Sequence, residues 1–239
     1  FNCGRYFDGD HFEFHANGPT HINLEFDEPL LSDEQSNWLE DLASDELLSE
    51  KLVQEELVIP SGKGIVIAGH DSLDVSELVA QLKVPLIAEN PLSYSNALTH
   101  APLFSAQLEI DWAIVAGRTT LSRSTNSLIA KAKEVFVIDS KATRIDPKRS
   151  ATRIFSTIPK LIGKAEPWSI NSEYISIQEW CEPAAAQCIA EQLPNGSTLY
   201  VSSSRPIRDL EAFAKPRSGV EVFANRGLAG IDGNLSTAI

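Results

Sequence analysis

Several residue types that would define a function are scarce or absent in this 239-residue chain. There is no methionine, and the three cysteines, Cys3, Cys181 and Cys188, form neither a CxxC pair nor a cysteine–histidine spacing that suits zinc. The strongest apolar runs are about as long as a strand, far short of the roughly 18 residues that cross a bilayer. These absences argue against a disulfide framework, a zinc site and a membrane segment, and they predict a cytoplasmic protein. The seven-residue spacing of Cys181 and Cys188 favours buried packing on one helical face.

Basic residues are scarce in the first quarter of the chain. Residues 1–60 hold 15 acids against Arg5 and Lys51, and this imbalance accounts for the net charge of -13. No basic stripe is present that could neutralise phosphates, so the sequence argues against a nucleic-acid partner. The acids and leucines of residues 32–56 predict short helical turns in an acidic linker that ends near residue 61.

The chain instead has a repeated alternation of apolar runs and helical patterns. Residues 65–67 and 113–115 lack polar alternation, which is typical of strands buried on both faces. The fold class is therefore predicted as α/β, with a parallel Rossmann-like sheet that carries helices on both faces. The predicted strands are 64–69, 85–89, 111–117, 134–139 and 153–155, and the predicted helices are 73–82 and 122–132.

A second α/β unit begins after this sheet and is incomplete within the chain. Residues 172–193 are predicted as helix, with an interruption at Pro183 that suits the first turn of a new helix. A turn at Asn195-Gly196 follows. The remaining predicted elements are a strand at 198–201, a helix at 206–213, a strand at 220–223 and a helix from Gly230 onward.

Polar residues directly follow both strands of this second unit. Ser204 and Arg208 come after the first strand, where Ser204 can cap the next helix, and Arg226 comes after the second strand. Ligands of parallel sheets bind outside the carboxyl ends of the strands, and paired guanidinium groups suit a substrate with several carboxylates. A surface ion pair of Arg208 with Asp209 or Glu211 explains the pattern equally well.

Four motifs in this order resemble those of the SEPHCHC synthases. Asn-Gly-Pro-Thr-His-Ile-Asn-Leu-Glu-Phe-Asp-Glu-Pro-Leu at 17–30 resembles the end of the family's pyrimidine-binding domain, and Val-Ala-Gly-Arg-Thr-Thr-Leu-Ser-Arg at 115–123 resembles part of its central domain. Ser-Ser-Arg-Pro-Ile-Arg-Asp at 203–209 and Asn-Arg-Gly-Leu-Ala-Gly-Ile-Asp-Gly-Asn-Leu-Ser-Thr-Ala at 225–238 are similar to its two substrate and cofactor motifs. The resemblance implies four parts: 1–31, the tail of the pyrimidine-binding domain; 32–61, the acidic linker; 62–166, the central Rossmann-like domain; and 167–239, the truncated start of the diphosphate-binding domain.

The family's residue roles can be carried over to matching positions. The resemblance implies that Ser204, Arg208 and Arg226 bind substrate, that Ile231 holds thiamine diphosphate in its bent form, and that the Ala229 carbonyl accepts a hydrogen bond from the cofactor. The implied enzyme is a thiamine-diphosphate- and Mg²⁺-dependent transferase of menaquinone biosynthesis, which decarboxylates 2-oxoglutarate and joins the remainder to isochorismate.

The resemblance also implies that essential parts lie elsewhere. The glutamate that polarises the cofactor and the Gly-Asp-Gly motif that holds magnesium have no counterpart in this sequence, so the 239-residue piece is expected to be inactive alone. The cofactor sites of such enzymes form between subunits, which implies a homodimer or homotetramer. Two alternatives remain: another enzyme of the superfamily, such as acetolactate synthase, or a non-catalytic nucleotide-binding or regulatory module, for which the start at 67–71 is the only hint.

Overall fold

The computed structural model describes two strands near the N-terminus and residues 55–139, 151–225 and 233–238. The chain divides into two units, Phe1–Glu50 and Lys51–Ile239. In the first unit, strand β1 (Asn2–Phe7) pairs in parallel with strand β2 (Thr20–Glu25). The strand predicted within residues 17–31 is therefore present. The helical turns predicted between residues 32 and 56 fall almost entirely outside the described residues.

The second unit contains a five-stranded parallel sheet. Its strands are β4 (Gly64–Ala68), β5 (Leu86–Ala88), β6 (Trp112–Ala116), β7 (Glu134–Ile138) and β8 (Arg153–Phe155). They lie in the order β5-β4-β6-β7-β8, and each neighbouring pair is parallel. Every residue of β4 and of β6 is buried, which explains the absence of polar alternation in their sequences.

Helices cover both faces of this sheet, so the predicted α/β class with a Rossmann-like parallel sheet is confirmed. Alternate residues of each strand point to opposite faces. Val66 and Ile114 join one apolar core with helix α1 (Ser76–Leu82), whereas Ile65 and Ala113 join another core. The second core is closed by helices α2 (Ala101–Phe104) and α3 (Arg123–Lys131).

A two-stranded ribbon adjoins the end of this sheet and was not predicted. It consists of β3 (Glu56–Val58) and β9 (Lys160–Ile162), which are parallel. Lys160 pairs with Glu56 at 2.9 Å, and Arg153 donates to the Glu56 carbonyl at 2.9 Å. Both strands are three residues long, too short to show a period in sequence.

The incomplete second α/β unit packs on the loop after β5. Its elements are α4 (Glu182–Gln192), β10 (Ser197–Val201), α5 (Arg205–Phe213), β11 (Val220–Ala224) and α6 (Asn234–Ala238). Leu92, in the turn after β5, is fully buried in the same apolar core as Val201 and Leu210. The Ser93 hydroxyl also donates to the Val220 carbonyl at 3.3 Å. As predicted, Pro183 lies in the first turn of α4.

The helix predicted from residue 172 to residue 181 was wrong, because the backbone of this segment bonds to side chains elsewhere. Ile175 N–H donates to His100 Nε2 at 2.9 Å, and Ile177 N–H donates to Gln187 Oε1 at 2.9 Å. His100 is buried, and its Nδ1 lies 2.8 Å from the Ala212 carbonyl. The histidine thus ties the central sheet's α2 to the 172–178 segment and to α5. Burial of both cysteines was also wrong, because Cys188 lies on the exposed side of α4.

Tyr174 in this segment gives a pH-dependent prediction. Burial, followed by the hydrogen bond from its hydroxyl to Glu191 and the charge of that carboxylate, raises the pKa of Tyr174 to about 12. Because the pKa is raised in the folded state, this stabilisation is complete below pH ~10 and is lost as the pH rises towards 12. We expect Glu191→Gln to lower the pKa of the phenol in an ultraviolet titration, with Tyr174→Phe identifying the signal. An unchanged tyrosine titration in Glu191→Gln would contradict the contact.

Within the described residues, every helix is too short or too polar to traverse a lipid bilayer.

Candidate functional site at the ends of β10 and β11

The site is built where two neighbouring parallel strands end. Strands β10 and β11 are in register, with Val201 opposite Ala224, so the residues that follow them emerge at the same edge. Ser203 donates from its hydroxyl to the Asn225 carbonyl at 2.6 Å. The two loops are therefore in direct contact, as expected for the carboxyl edge of a parallel sheet.

Ser204 lies in the turn between β10 and α5 with an unusual backbone. Its φ of 76° and ψ of -121° are rarely adopted by a residue other than glycine. Ser204 occupies the N-cap position of α5, but its side chain makes no capping hydrogen bond, so the predicted capping role was wrong. In this strained turn Ser204 is exposed to solvent, just beyond the carboxyl end of β10. Such strain is often found at binding sites, where the surrounding structure holds it in place.

Arg208 turns back along the helix towards this serine. Its Nε donates to the Ser204 carbonyl at 3.0 Å, and one terminal nitrogen lies 3.4 Å from the Ser204 hydroxyl. A guanidinium group has five N–H donors in a fixed fork, so several remain for a ligand. Arg208 is exposed, and its partners leave it open to an incoming carboxylate. Ser204 and Arg208 are thus brought together as one polar group.

The surface ion pair that competed with this interpretation is made by a different arginine. Arg205 Nε donates to the Asp209 carboxylate at 3.2 Å and also lies 3.7 Å from Glu182. Arg208 forms no ion pair with Asp209 or Glu211 in the part of the chain that the structure describes. Helical spacing favours Arg205 as the partner of Asp209, because residues four apart lie on one face of a helix whereas adjacent residues do not.

The other three predicted site residues, Arg226, Ala229 and Ile231, lie outside the described residues. Their roles stay predictions. Asn225, directly before Arg226, is described and is bonded to Ser203, the neighbour of Ser204.

Sequence reasoning missed a set of hydrogen bonds that surround this edge. The side-chain amide of Asn225 donates to the Thr237 hydroxyl at 3.2 Å, and that hydroxyl donates to the Gly233 carbonyl at 2.8 Å. The Tyr200 hydroxyl donates to the Asn234 side chain at 3.1 Å. The available signal was the position of Ser203 and Asn225 just after two strands, which is where polar residues of α/β sheets act.

The loop after β4 offers little support for a nucleotide-binding module. Gly69 N–H donates to the Ala116 carbonyl, and His70 and Arg118 exchange backbone hydrogen bonds of 3.0 and 2.9 Å. A side chain at Gly69 would overlap the Arg118 carbonyl. The loops after β4 and β6 therefore bond to each other at the point in the strand order where a nucleotide would enter.

A cavity of about 300 Å³ lies beside this loop, between the central sheet and β11. His70 faces it, 3.3 Å from Asp71 and 3.7 Å from the buried Glu89. Two polar groups of its wall bond to the protein itself: the Asn90 amide donates to Ser93, and the Tyr94 hydroxyl lies 3.4 Å from the Leu73 carbonyl. In the described residues no group of three or more His, Cys, Asp or Glu side chains could hold a metal ion.

The architecture defines a parallel α/β protein with a Rossmann-like central sheet and a polar strand edge in a second unit. Curated proteins that share one name are similar to this chain over most of its length. The chain is 29% identical over 257 residues to 2-succinyl-5-enolpyruvyl-6-hydroxy-3-cyclohexene-1-carboxylate synthase (SEPHCHC synthase) of Thermobifida fusca, covering 93% of this chain and 46% of that protein. It is 32% identical over 261 residues to the synthase of a Nocardioides species, covering 93% of this chain and 47% of that protein. It is 28% identical over 266 residues to the synthase of Yersinia enterocolitica, covering 92% of this chain and 48% of that protein.

These relatives confirm the resemblance carried by the four motifs: the chain is a homologue of the SEPHCHC synthases. It spans about half the length of the curated relatives it matches. No protein-family model matches the chain.

Proposed function

We propose that this chain is part of a SEPHCHC synthase, a transferase that decarboxylates 2-oxoglutarate on thiamine diphosphate and adds the succinyl semialdehyde carbanion to isochorismate in menaquinone biosynthesis. The observation that supports this best is the joined edge of β10 and β11, where Ser203 bonds to Asn225 in a chain homologous to proteins of that name. Both substrates carry two carboxylates, and the edge presents hydroxyl and guanidinium donors.

In this proposal Ser204 and Arg208 bind a substrate carboxylate together with Arg226. The exposed guanidinium of Arg208 is already oriented by the Ser204 carbonyl, so little side-chain freedom is lost when a carboxylate binds. The donor set suits an anion, because Arg208 supplies a fixed fork and Ser204 a hydroxyl at the same place. Bound in this way, the substrate is held in one orientation, which lowers the entropic part of the barrier.

Thiamine diphosphate supplies the carbon chemistry when bound, as cofactors of this kind do. The contacts proposed for this chain are the Ala229 carbonyl and the Ile231 side chain, and the Mg²⁺ ligands and most other cofactor contacts are proposed to come from outside this 239-residue sequence. The described residues contribute no acidic cluster that suits a metal ion. Their part is to orient the substrate at the strand edge.

The domain division proposed from the motifs is part of the same account. Residues 62–166 would form the central domain, 167–239 the start of the diphosphate-binding domain, 32–61 a linker and 1–31 the end of a pyrimidine-binding domain. Active sites of this design form between subunits, so we propose a cytoplasmic homodimer or homotetramer.

The proposed activity can be tested on a polypeptide that contains this chain and has the length of its relatives. With thiamine diphosphate and Mg²⁺ it should release carbon dioxide from 2-oxoglutarate and, with isochorismate present, form the coupled product. The 239-residue chain alone should show neither reaction. Turnover by the short chain, or no reaction by the long one, would refute the proposal, and consumption of pyruvate instead would indicate an acetolactate synthase.

A further inference from the structure

The two ring nitrogens of His100 contact two backbone groups whose hydrogen-bonding roles are fixed. Nδ1 lies 2.8 Å from the Ala212 carbonyl, which can only accept a hydrogen bond. Nε2 lies 2.9 Å from the Ile175 N–H, which can only donate one. Nδ1 must therefore carry the ring hydrogen and Nε2 must lack one, so the two contacts select a single neutral form of the imidazole.

The surroundings of His100 hold the ring in this place. It is buried, stacks on Tyr174 with the ring centroids 5.6 Å apart, and meets the edge of Phe213 at 6.0 Å. The backbone of His100 lies in the left-handed region, with a φ of 54°, and such a conformation persists where the surrounding contacts fix it. The ring therefore has little freedom to turn away when one of its hydrogen bonds is lost.

We propose that His100 is a pH-dependent latch between α2 and the 172–178 segment. Protonation adds a hydrogen to Nε2, which then faces the Ile175 N–H as donor against donor, so that this hydrogen bond is lost. Nδ1–H donates to the Ala212 carbonyl in both charge states, so the contact with α5 remains. Histidine side chains ordinarily change charge between about pH 5 and pH 8, so the latch is closed near pH 8 and open near pH 5.

The charges around the ring favour opening of the latch when His100 is protonated. The ionisable side chains on the segments that pack against it are those of Glu173, Tyr174, Glu191, Glu211 and Lys215. In residues 55–139 and 151–225, no carboxylate forms an ion pair with the His100 ring that would hold its protonated form in place. Glu191 bonds instead to the Tyr174 hydroxyl, and the Lys215 ammonium lies 5.5 Å from the centre of the same tyrosine ring. Lys215 thus already places one positive charge against the ring on which His100 stacks.

Ile177 supplies a matched control within the same segment. Its N–H donates to Gln187 Oε1 at 2.9 Å, the same distance as for Ile175 and His100, but an amide oxygen does not titrate in this pH range. The Gln187 side-chain amide also donates to the Ile175 carbonyl at 2.8 Å. These bonds hold the segment on α4 in either charge state of His100, so the Ile175 N–H should respond to pH while the Ile177 N–H does not.

The test is hydrogen–deuterium exchange at single-amide resolution in the polypeptide of relatives' length, with each rate corrected for the intrinsic effect of pH. The ratio of the protection factor of Ile175 to that of Ile177 should fall about 10-fold between about pH 8 and about pH 5, because one donor loses its acceptor. In His100→Gln, whose side chain does not titrate, the ratio should stay constant within about twofold. In His100→Phe, which keeps the stacked ring without its nitrogens, the ratio should be low at every pH.

A constant ratio in the unsubstituted protein would overturn the latch, and so would a ratio that still falls with pH in His100→Gln. The unsubstituted protein alone decides the first of these outcomes, so the test stands even if a variant fails to fold. The exchange measurement needs neither substrate nor cofactor, and its result is therefore independent of the proposed activity.

Discussion

Replacing Arg208 by alanine should lower kcat/KM for 2-oxoglutarate by about 10- to 100-fold in the polypeptide of relatives' length, because a charge-assisted hydrogen bond to the substrate carboxylate is lost. Arg208 is exposed and bonds to Ser204 alone among the described residues, so its loss should change the Tm little. The Kd for thiamine diphosphate should stay close to that of the unsubstituted protein. Steady-state kinetics and a cofactor titration measure the two quantities.

Arg205 provides the matched control for this prediction. It lies on the same helix, carries the same charge and is also exposed, but it pairs with Asp209 and Glu182. Arg205→Gln should therefore keep kcat/KM within about twofold, since surface ion pairs contribute little. Equal losses of kcat/KM in Arg205→Gln and Arg208→Ala would mean that only the positive charge of the helix affects activity. A parallel loss of cofactor affinity in Arg208→Ala would show that its role has been misassigned.

Gly64→Ala should destabilise the second unit by about 2 to 4 kcal/mol, because the new methyl group would overlap a buried indole ring. Gly64 starts β4 directly beside Trp112, which is fully buried on β6, and a Cβ at position 64 would overlap three atoms of that ring. The Gly64 carbonyl also accepts from Trp168 at 2.6 Å, so the backbone has little freedom to move away. The measurement is the free energy of unfolding in urea, followed by tryptophan fluorescence.

Gly163 is a useful comparison because it separates crowding from backbone strain. Its φ is 96°, in the left-handed region, but no atom lies near the place of an added Cβ. Gly163→Ala should therefore cost about 1 kcal/mol through conformation alone, less than the overlap at Gly64. A smaller loss in Gly64→Ala than in Gly163→Ala would contradict the packing described for Trp112.

The central sheet was predictable because its signals are local. Strands β4 and β6 have uninterrupted apolar sequences, and their observed bounds differ from the predicted ones by one residue at most at each end. Helices α3 and α5 likewise begin and end within one residue of prediction. Strand pairing, burial on both faces and the helices between them all follow from one sequence pattern.

The errors fall where the hydrogen-bond partner is far away in sequence. Residues 172–181 were predicted as helix, yet the Ile175 N–H bonds to His100, 75 residues earlier. The β3–β9 ribbon joins residues 104 apart, and neither strand is long enough to be recognised. The local periodicity of a sequence carries no information about hydrogen-bond partners that lie this far apart in the chain.

The candidate site was predictable in position but only partly in detail. The rule that ligands bind at the carboxyl ends of parallel strands located Ser204 and Arg208 correctly at one edge. The positive φ of Ser204 was not foreseen, since serine ordinarily avoids it. Helical spacing already favoured Arg205 over Arg208 as the partner of Asp209, because only positions 205 and 209 are four apart, and that signal was not used in the prediction.

The most direct test of the central claim is a crystal structure of the polypeptide of relatives' length with 2-oxoglutarate bound. The account predicts that the Arg208 guanidinium and the Ser204 hydroxyl lie within hydrogen-bond distance of one substrate carboxylate, at the shared edge of β10 and β11. A structure in which the substrate binds elsewhere, with Arg208 still bonded only to Ser204, would contradict it.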